Sequence, residues 1–117
     1  MGETLFEKII ARKIPAQIVY EDERALAFRD IKPVARVHVL VIPKSPIPRV
    51  ADVEPAHEAL LGHLFVVARK VAEQEGIAER GYRLVINCGS DGGPTVYHLH
   101  VHLIGGEPLG WPPFPEA

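Results

Sequence analysis

Residues 95–106 read Thr-Val-Tyr-His-Leu-His-Val-His-Leu-Ile-Gly-Gly, and the alternation inside this stretch leaves the chain few ways to fold. His98, His100 and His102, three of the chain's six histidines, alternate with Leu99, Val101 and Leu103. Side chains along a strand point to opposite faces in turn. The period of two therefore predicts a strand over 96–104 with an imidazole face and an apolar face. Such a strand is half-buried and needs partners in a sheet.

The rest of the chain supplies them. Residues 37–43, Val-His-Val-Leu-Val-Ile-Pro, are apolar on nearly both sides and predict a central strand. Runs over 16–21 and 24–30, separated by acidic residues, predict a hairpin, and 81–87 predicts a fourth strand. Thr4 followed three residues later by Glu7 is a capping box that opens a short helix to about residue 13. In that helix Phe6, Ile9 and Ile10 face inward, and Pro15 is expected to end it. A long helix is expected from about 52–55, with Leu60, Leu61, Leu64, Val67, Ala68 and Val71 as its buried stripe and Gly76 just past its end. Strands joined by short turns, with helices inserted between them, indicate a single α+β domain on an antiparallel sheet, followed by an extended tail over about 107–117.

Composition narrows the function. At 117 residues the chain suits one domain with a real core. A net charge of −2 with scattered Lys and Arg gives no basic footprint for nucleic acid. The single Cys88 allows no internal disulfide. No apolar run approaches the ~20 residues of a membrane helix, and the N-terminus lacks the build of a signal peptide. A cytoplasmic protein without membrane or nucleic-acid partners is expected.

Three readings of the histidine row compete. It can be a decorated strand face, a metal site, or an anion site. For a metal, neighbouring positions on one strand face lie ~6.6 Å apart and the outer pair ~13 Å, whereas zinc wants each nitrogen within ~2.1 Å. Two neighbouring rings can chelate one ion; all three cannot without heavy bending. His38 and Cys88 are the nearest further candidates, while His57 and His63 do not share a helical face. A phosphate, with several oxygens spread over a few Å, matches the row better. Imidazole titrates near neutrality and serves as donor, acceptor or nucleophile. The glycine-rich turn at 89–93 adds backbone N–H groups able to approach an oxyanion.

The run His98-Leu-His100-Val-His102-Leu-Ile104 resembles the HφHφHφφ signature of the histidine triad superfamily, φ being apolar. The segments "LFEKIIARKIPAQIVYEDERALAFRDIKP", "VHVLVIPK", "LLGHL", "NCGSDGGPTVYHLHVHLIGG" and "WPP" extend the resemblance to the Hint branch across almost the whole chain. It implies a HIT-like fold: a five-stranded antiparallel sheet with one short and one long helix, paired into a homodimer with a continuous sheet. Trp111 of the tail is then expected to reach toward the partner's site.

The resemblance also implies roles. His100 resembles the nucleophile that attacks the α-phosphorus and becomes nucleotidylated. His98 and His38 resemble supporting imidazoles that orient the nucleophile and pass protons, and His102 resembles a phosphate ligand. Asn87, Gly93, Pro94 and Thr95 match phosphate or leaving-group contacts. Asp30 and Ile31 match ribose contacts. Phe6, Ile9, Ile14, Phe28 and Arg29 match the base pocket, to which Ile31 also adds. The implied activity is a purine nucleoside phosphoramidase acting on AMP or GMP derivatives, aminoacyl-adenylates included, with no metal or other cofactor required. A dinucleoside polyphosphate hydrolase is the rival enzyme, and a nucleotide-binding scaffold with incidental turnover the rival of another class. Three positions depart from the family pattern: Pro94 stands where Gln is common, Thr95 where Ser is usual, and Arg29 where His is frequent.

Overall fold

The computed structural model describes residues 3–93 and 96–114. Among them, five strands form one antiparallel sheet: β1 (Ile18–Glu21), β2 (Ala25–Arg29), β3 (Val37–Pro43), β4 (Tyr82–Val85) and β5 (Val101–Gly105). Their order across the sheet is β1-β2-β3-β5-β4. Helix α1 (Leu5–Ile10) covers one face and helix α2 (Glu58–Gln74) the other. None of the described helices is long and apolar enough to cross a membrane.

Period-two alternation divides the core into two layers. Ala25, Ala27, Val39, Val41, Val101 and Leu103 meet Leu64, Val67, Ala68 and Val71 of α2. Leu26, Phe28, Leu40 and Ile42 meet Phe6 and Ile9 of α1. Strand β3 feeds both layers, which is why its sequence is apolar at almost every position. His38 is the exception, and it shares a face with Leu40 and Ile42.

Several expected boundaries move, each for a local reason. The α1 capping box forms as expected, with Thr4 and Glu7 bonded reciprocally at 3.1 Å. The helix nevertheless stops at Ile10 rather than near 13. Arg12 takes a left-handed conformation (φ 62°) and the Lys13 N–H closes back on the Lys8 carbonyl at 2.8 Å, ending the helix before Pro15 is reached. Short 3₁₀ turns at Val50–Asp52 and Pro55–His57 precede α2, which begins at Glu58. Past its end, Gly76 (φ 75°) lets Ile77 N–H reach the Ala72 carbonyl and Gly76 N–H the Glu73 carbonyl, the expected glycine stop.

The largest correction concerns the histidine strand. β5 begins at Val101, so His98 and His100 precede it rather than lie within it. The ladder with β3 ends at the pair Val41–Val101. Beyond it β3 reaches Pro43, which has no N–H to offer. Leu99 N–H turns instead to the Ile47 carbonyl at 2.7 Å, and His98 N–H to that of Val96 at 2.8 Å. Leu99 still enters the α2 layer with Val101 and Leu103, as alternation predicts.

Candidate active site

A cavity of about 610 Å³ opens between α1, the loop after β2 and the histidine segment. One end is apolar, formed by Phe6, Ile9, Ile14, Phe28 and Leu40; the other is polar, formed by Asp30, Asn87, His100 and His102. Ile31 stands at the rim, 88 % exposed. The cavity joins two things the sequence lists far apart, a slot fit for a flat apolar ring and a cluster of imidazoles.

The rings form a contiguous set. His100 and His102 have centroids 5.0 Å apart, His102 and His38 5.1 Å, and the Phe6 ring meets His100 edge-on at 5.0 Å. His100 Nδ1 lies 2.7 Å from the His98 carbonyl oxygen, so that nitrogen carries the proton and donates it. Its Nε2 is thereby left with a free lone pair. Burial pushes the His100 pKa below its ordinary value, which keeps that lone pair unprotonated near neutral pH.

A second chain of hydrogen bonds sets the state of His102. The Val34 N–H donates to His38 Nδ1 at 3.2 Å, so neutral His38 holds its proton on Nε2. That Nε2–H donates to His102 Nδ1 at 2.9 Å. His102 must then carry its own proton on Nε2, at the polar end of the cavity. The Asn87 amide lies 3.4 Å from that nitrogen, and the contact is a hydrogen bond only with the carboxamide oxygen turned toward it. Burial, then the neighbouring His100 and His38, lowers the His102 pKa to about 4; burial likewise lowers that of His38.

Asp30 begins the loop after β2. One carboxylate oxygen accepts the Lys32 N–H at 2.8 Å, and the other lies 3.5 Å from His38 Nε2. Asp30, His38 and His102 bring potential metal-ligating atoms within 4.8 Å of one another. The tautomers oppose a cation there. His38 Nε2 bears a proton because Val34 holds Nδ1 as an acceptor, so His38 could ligate only by losing that hydrogen bond or becoming an imidazolate.

His98 stands behind the cavity. Its ring is fully buried, its Nε2–H donates to the Pro43 carbonyl at 2.7 Å, and its Nδ1 has no hydrogen-bond partner among the described residues. The nucleophile's orientation was expected from the His98 and His38 rings. In the structure His98 acts on His100 through its main-chain carbonyl, and His38 contacts His102. Arg29 lines the cavity, and its guanidinium is bound at 2.5 and 2.9 Å to both carboxylate oxygens of Glu75, the cap residue just past α2. Gly93 closes a 3₁₀ turn with φ 110° and is not among the residues lining the cavity, and Pro94 and Thr95 lie outside the described residues. His57 and His63 are bonded elsewhere, to Glu54 N–H and the Asp22 carboxylate.

Some participants left no mark in the sequence. Val34 N–H and the His98 and Pro43 carbonyls act through backbone atoms that any residue would have. Leu40 reads as core by its pattern, and it is core as well as cavity wall.

Comparison with known proteins points one way. The HIT domain family matches residues 11–109. A purine nucleoside phosphoramidase of Escherichia coli K12 is 57% identical over 108 residues, spanning 92% of this chain and 91% of that protein. A HIT family hydrolase from Legionella pneumophila superposes with a TM-score of 0.93 at 48% identity, covering 96% of this chain and all of that one. A histidine triad nucleotide-binding protein from Candida albicans superposes at 0.79 with 29% identity, over 98% and 85% of the two chains.

Proposed function

Because the chain belongs to the HIT domain family and its relatives include hydrolases, we propose that this enzyme is a purine nucleoside phosphoramidase working through a nucleotidyl-histidine intermediate. The observation that carries the proposal is the His100 ring: Nδ1 spent on a carbonyl, Nε2 free, at the polar end of a cavity whose other end is apolar.

The purine enters the slot of Phe6, Ile9, Ile14 and Phe28, and the Asp30 carboxylate accepts the ribose hydroxyls, a natural use of two acceptor oxygens. The phosphoryl group then lies against His102, whose Nε2–H donates to a non-bridging oxygen. His100 Nε2 attacks phosphorus in line. A P–N(imidazole) bond forms as the substrate P–N bond breaks, and the departing amine takes up a proton from solvent. His100 is now cationic, and its Nδ1–H bond to the His98 carbonyl becomes charge-assisted and stronger. Water attacks the phosphorus next and gives up a proton to solvent as the P–N(imidazole) bond breaks, releasing nucleoside monophosphate and restoring neutral His100. Positioned donors stabilise the charge developing on the phosphoryl oxygens, so the proposal includes no metal or other cofactor.

A homodimer accompanies this reading. β4 is an outer strand, and α2 leaves Phe65 and Val66 about half exposed (46 % and 44 %). Trp111, 81 % exposed, lies over Arg83 of that strand with the guanidinium 5.7 Å from its ring. Light scattering should report twice the chain mass, and a monomer would remove any role for the tail across subunits.

Parallel assays separate the enzyme readings. Adenosine 5′-phosphoramidate should be turned over far faster than a diadenosine polyphosphate. The reverse order would assign the rival hydrolase, and no turnover of either would leave a nucleotide-binding protein.

A further inference from the structure

The Arg29–Glu75 pair stands beside the cavity, and the mechanism above leaves it unused. Arg29 closes β2, and alternation sends its side chain to the α2 face while Asp30, the next residue, opens onto the cavity. The two residues of the pair stand 46 apart in sequence, so the fork of hydrogen bonds ties the end of a strand to the end of a helix. Glu75 is the C-cap residue just past the end of α2. A carboxylate there faces the negative end of the helix dipole and is disfavoured on its own. Arg29 offsets this by bringing a guanidinium to the same place in two-pronged geometry, which a lysine could not reproduce.

What the pair holds is the point where the chain leaves the sheet. Arg29 N–H bonds to the Gln17 carbonyl and Asp30 N–H to that of His38, each at 3.0 Å. Beyond Asp30 the chain runs on through exposed residues 31–34. The Asp30 carboxylate is therefore aimed by the last position of the β2–β3 ladder, and that position is fastened from behind by Glu75. We propose that the Arg29–Glu75 pair positions Asp30 and thereby sets how strongly the enzyme distinguishes a ribose from a deoxyribose. This rests on the ribose reading of Asp30 given above. In this proposal Arg29 and Glu75 are positioning residues that act through Asp30.

The test compares kcat/KM for adenosine 5′-phosphoramidate with that for its 2′-deoxy and 3′-deoxy analogues. It uses wild type, Asp30→Asn, Arg29→Ala, Glu75→Gln and the reversed pair Arg29→Glu/Glu75→Arg. Asp30→Asn should collapse the ribo-to-deoxy ratio. Arg29→Ala and Glu75→Gln should each lower it by about fivefold, as expected for a displaced rather than a lost contact. The loss should fall mainly on KM for the ribose substrate and barely on the deoxy analogues, with partial recovery in the reversed pair. If Asp30→Asn lowers the ratio while Arg29→Ala and Glu75→Gln keep it at the wild-type value and lose only thermal stability, the pair is structural and the inference fails. If Asp30→Asn leaves the ratio unchanged, the ribose reading fails and takes the inference with it. Should Arg29→Ala not fold, Glu75→Gln alone decides, since it keeps the volume and removes the charge.

Discussion

The Nδ1–H of His100 donates to the carbonyl oxygen of His98 at 2.7 Å, so the residue that orients the central ring does so with its backbone and not with its own imidazole. The two histidines consequently play unlike parts. His100 lines the cavity, whereas the His98 ring is fully buried behind it and bonded to the Pro43 carbonyl.

Substitution should separate them. His100→Ala removes the attacking nitrogen and is expected to lower kcat by about 10⁴-fold or more. His98→Ala keeps the carbonyl, and is expected to stay within about 10²-fold of wild type while losing stability through the cavity it leaves. Steady-state kinetics with urea unfolding on both variants checks this. Equal losses of activity would give the His98 ring a chemical part.

His38 acts one step removed. Its replacement by Ala frees His102 to adopt either tautomer, so the donor facing the phosphoryl oxygen is no longer fixed. We expect a loss of about 10²-fold in kcat, the size associated with removing one oxyanion donor, with a smaller change in KM. An unchanged kcat would show that the chain from Val34 through His38 to His102 is irrelevant to turnover.

The same buried rings make the fold sensitive to acid. The His102 pKa falls from its ordinary 6.5 to about 4, and those of His38, His98 and His100 are also lowered by burial. Between those values the unfolded chain binds more protons than the folded one, so stability rises with pH across the window. It should be fully present above about pH 6.5 and decline as pH falls toward 4. Allowing for partial exposure, the His102 share is about 2 kcal/mol. Urea midpoints measured from pH 7.5 to 4 should trace that decline, and His102→Gln should flatten it. A flat profile in the wild type would contradict the neutral-ring assignment.

The period-two pattern placed Leu99, Val101 and Leu103 in one core layer and the histidines outside it, and the apolar run of β3 marked the central strand. Less legible was where β5 starts. That depends on Pro43 ending its partner's ladder, a long-range consequence that no local pattern around His98 carries. The apolar wall of the cavity was visible only through family resemblance, because Phe6, Ile9 and Phe28 read equally well as core, and they are core. The Arg29–Glu75 pair was also illegible, because it joins residues 46 apart in sequence and no local pattern around Arg29 carries it.

Stability and chemistry should come apart on the α2 side. Leu64 is 1 % exposed in the layer opposite the cavity. Leu64→Ala should lower stability by about 3 kcal/mol and leave kcat of the folded enzyme unchanged. A large fall in kcat at full folding would mean that the two layers are coupled.

The covalent step is the centre of the account, and intact-protein mass spectrometry after brief exposure to adenosine 5′-phosphoramidate tests it most directly. One added adenylyl group per chain, mapped by fragmentation to His100 and absent in His100→Ala, is the expected result. Rapid turnover with no adduct at any quench time, or an adduct on a different histidine, would contradict it.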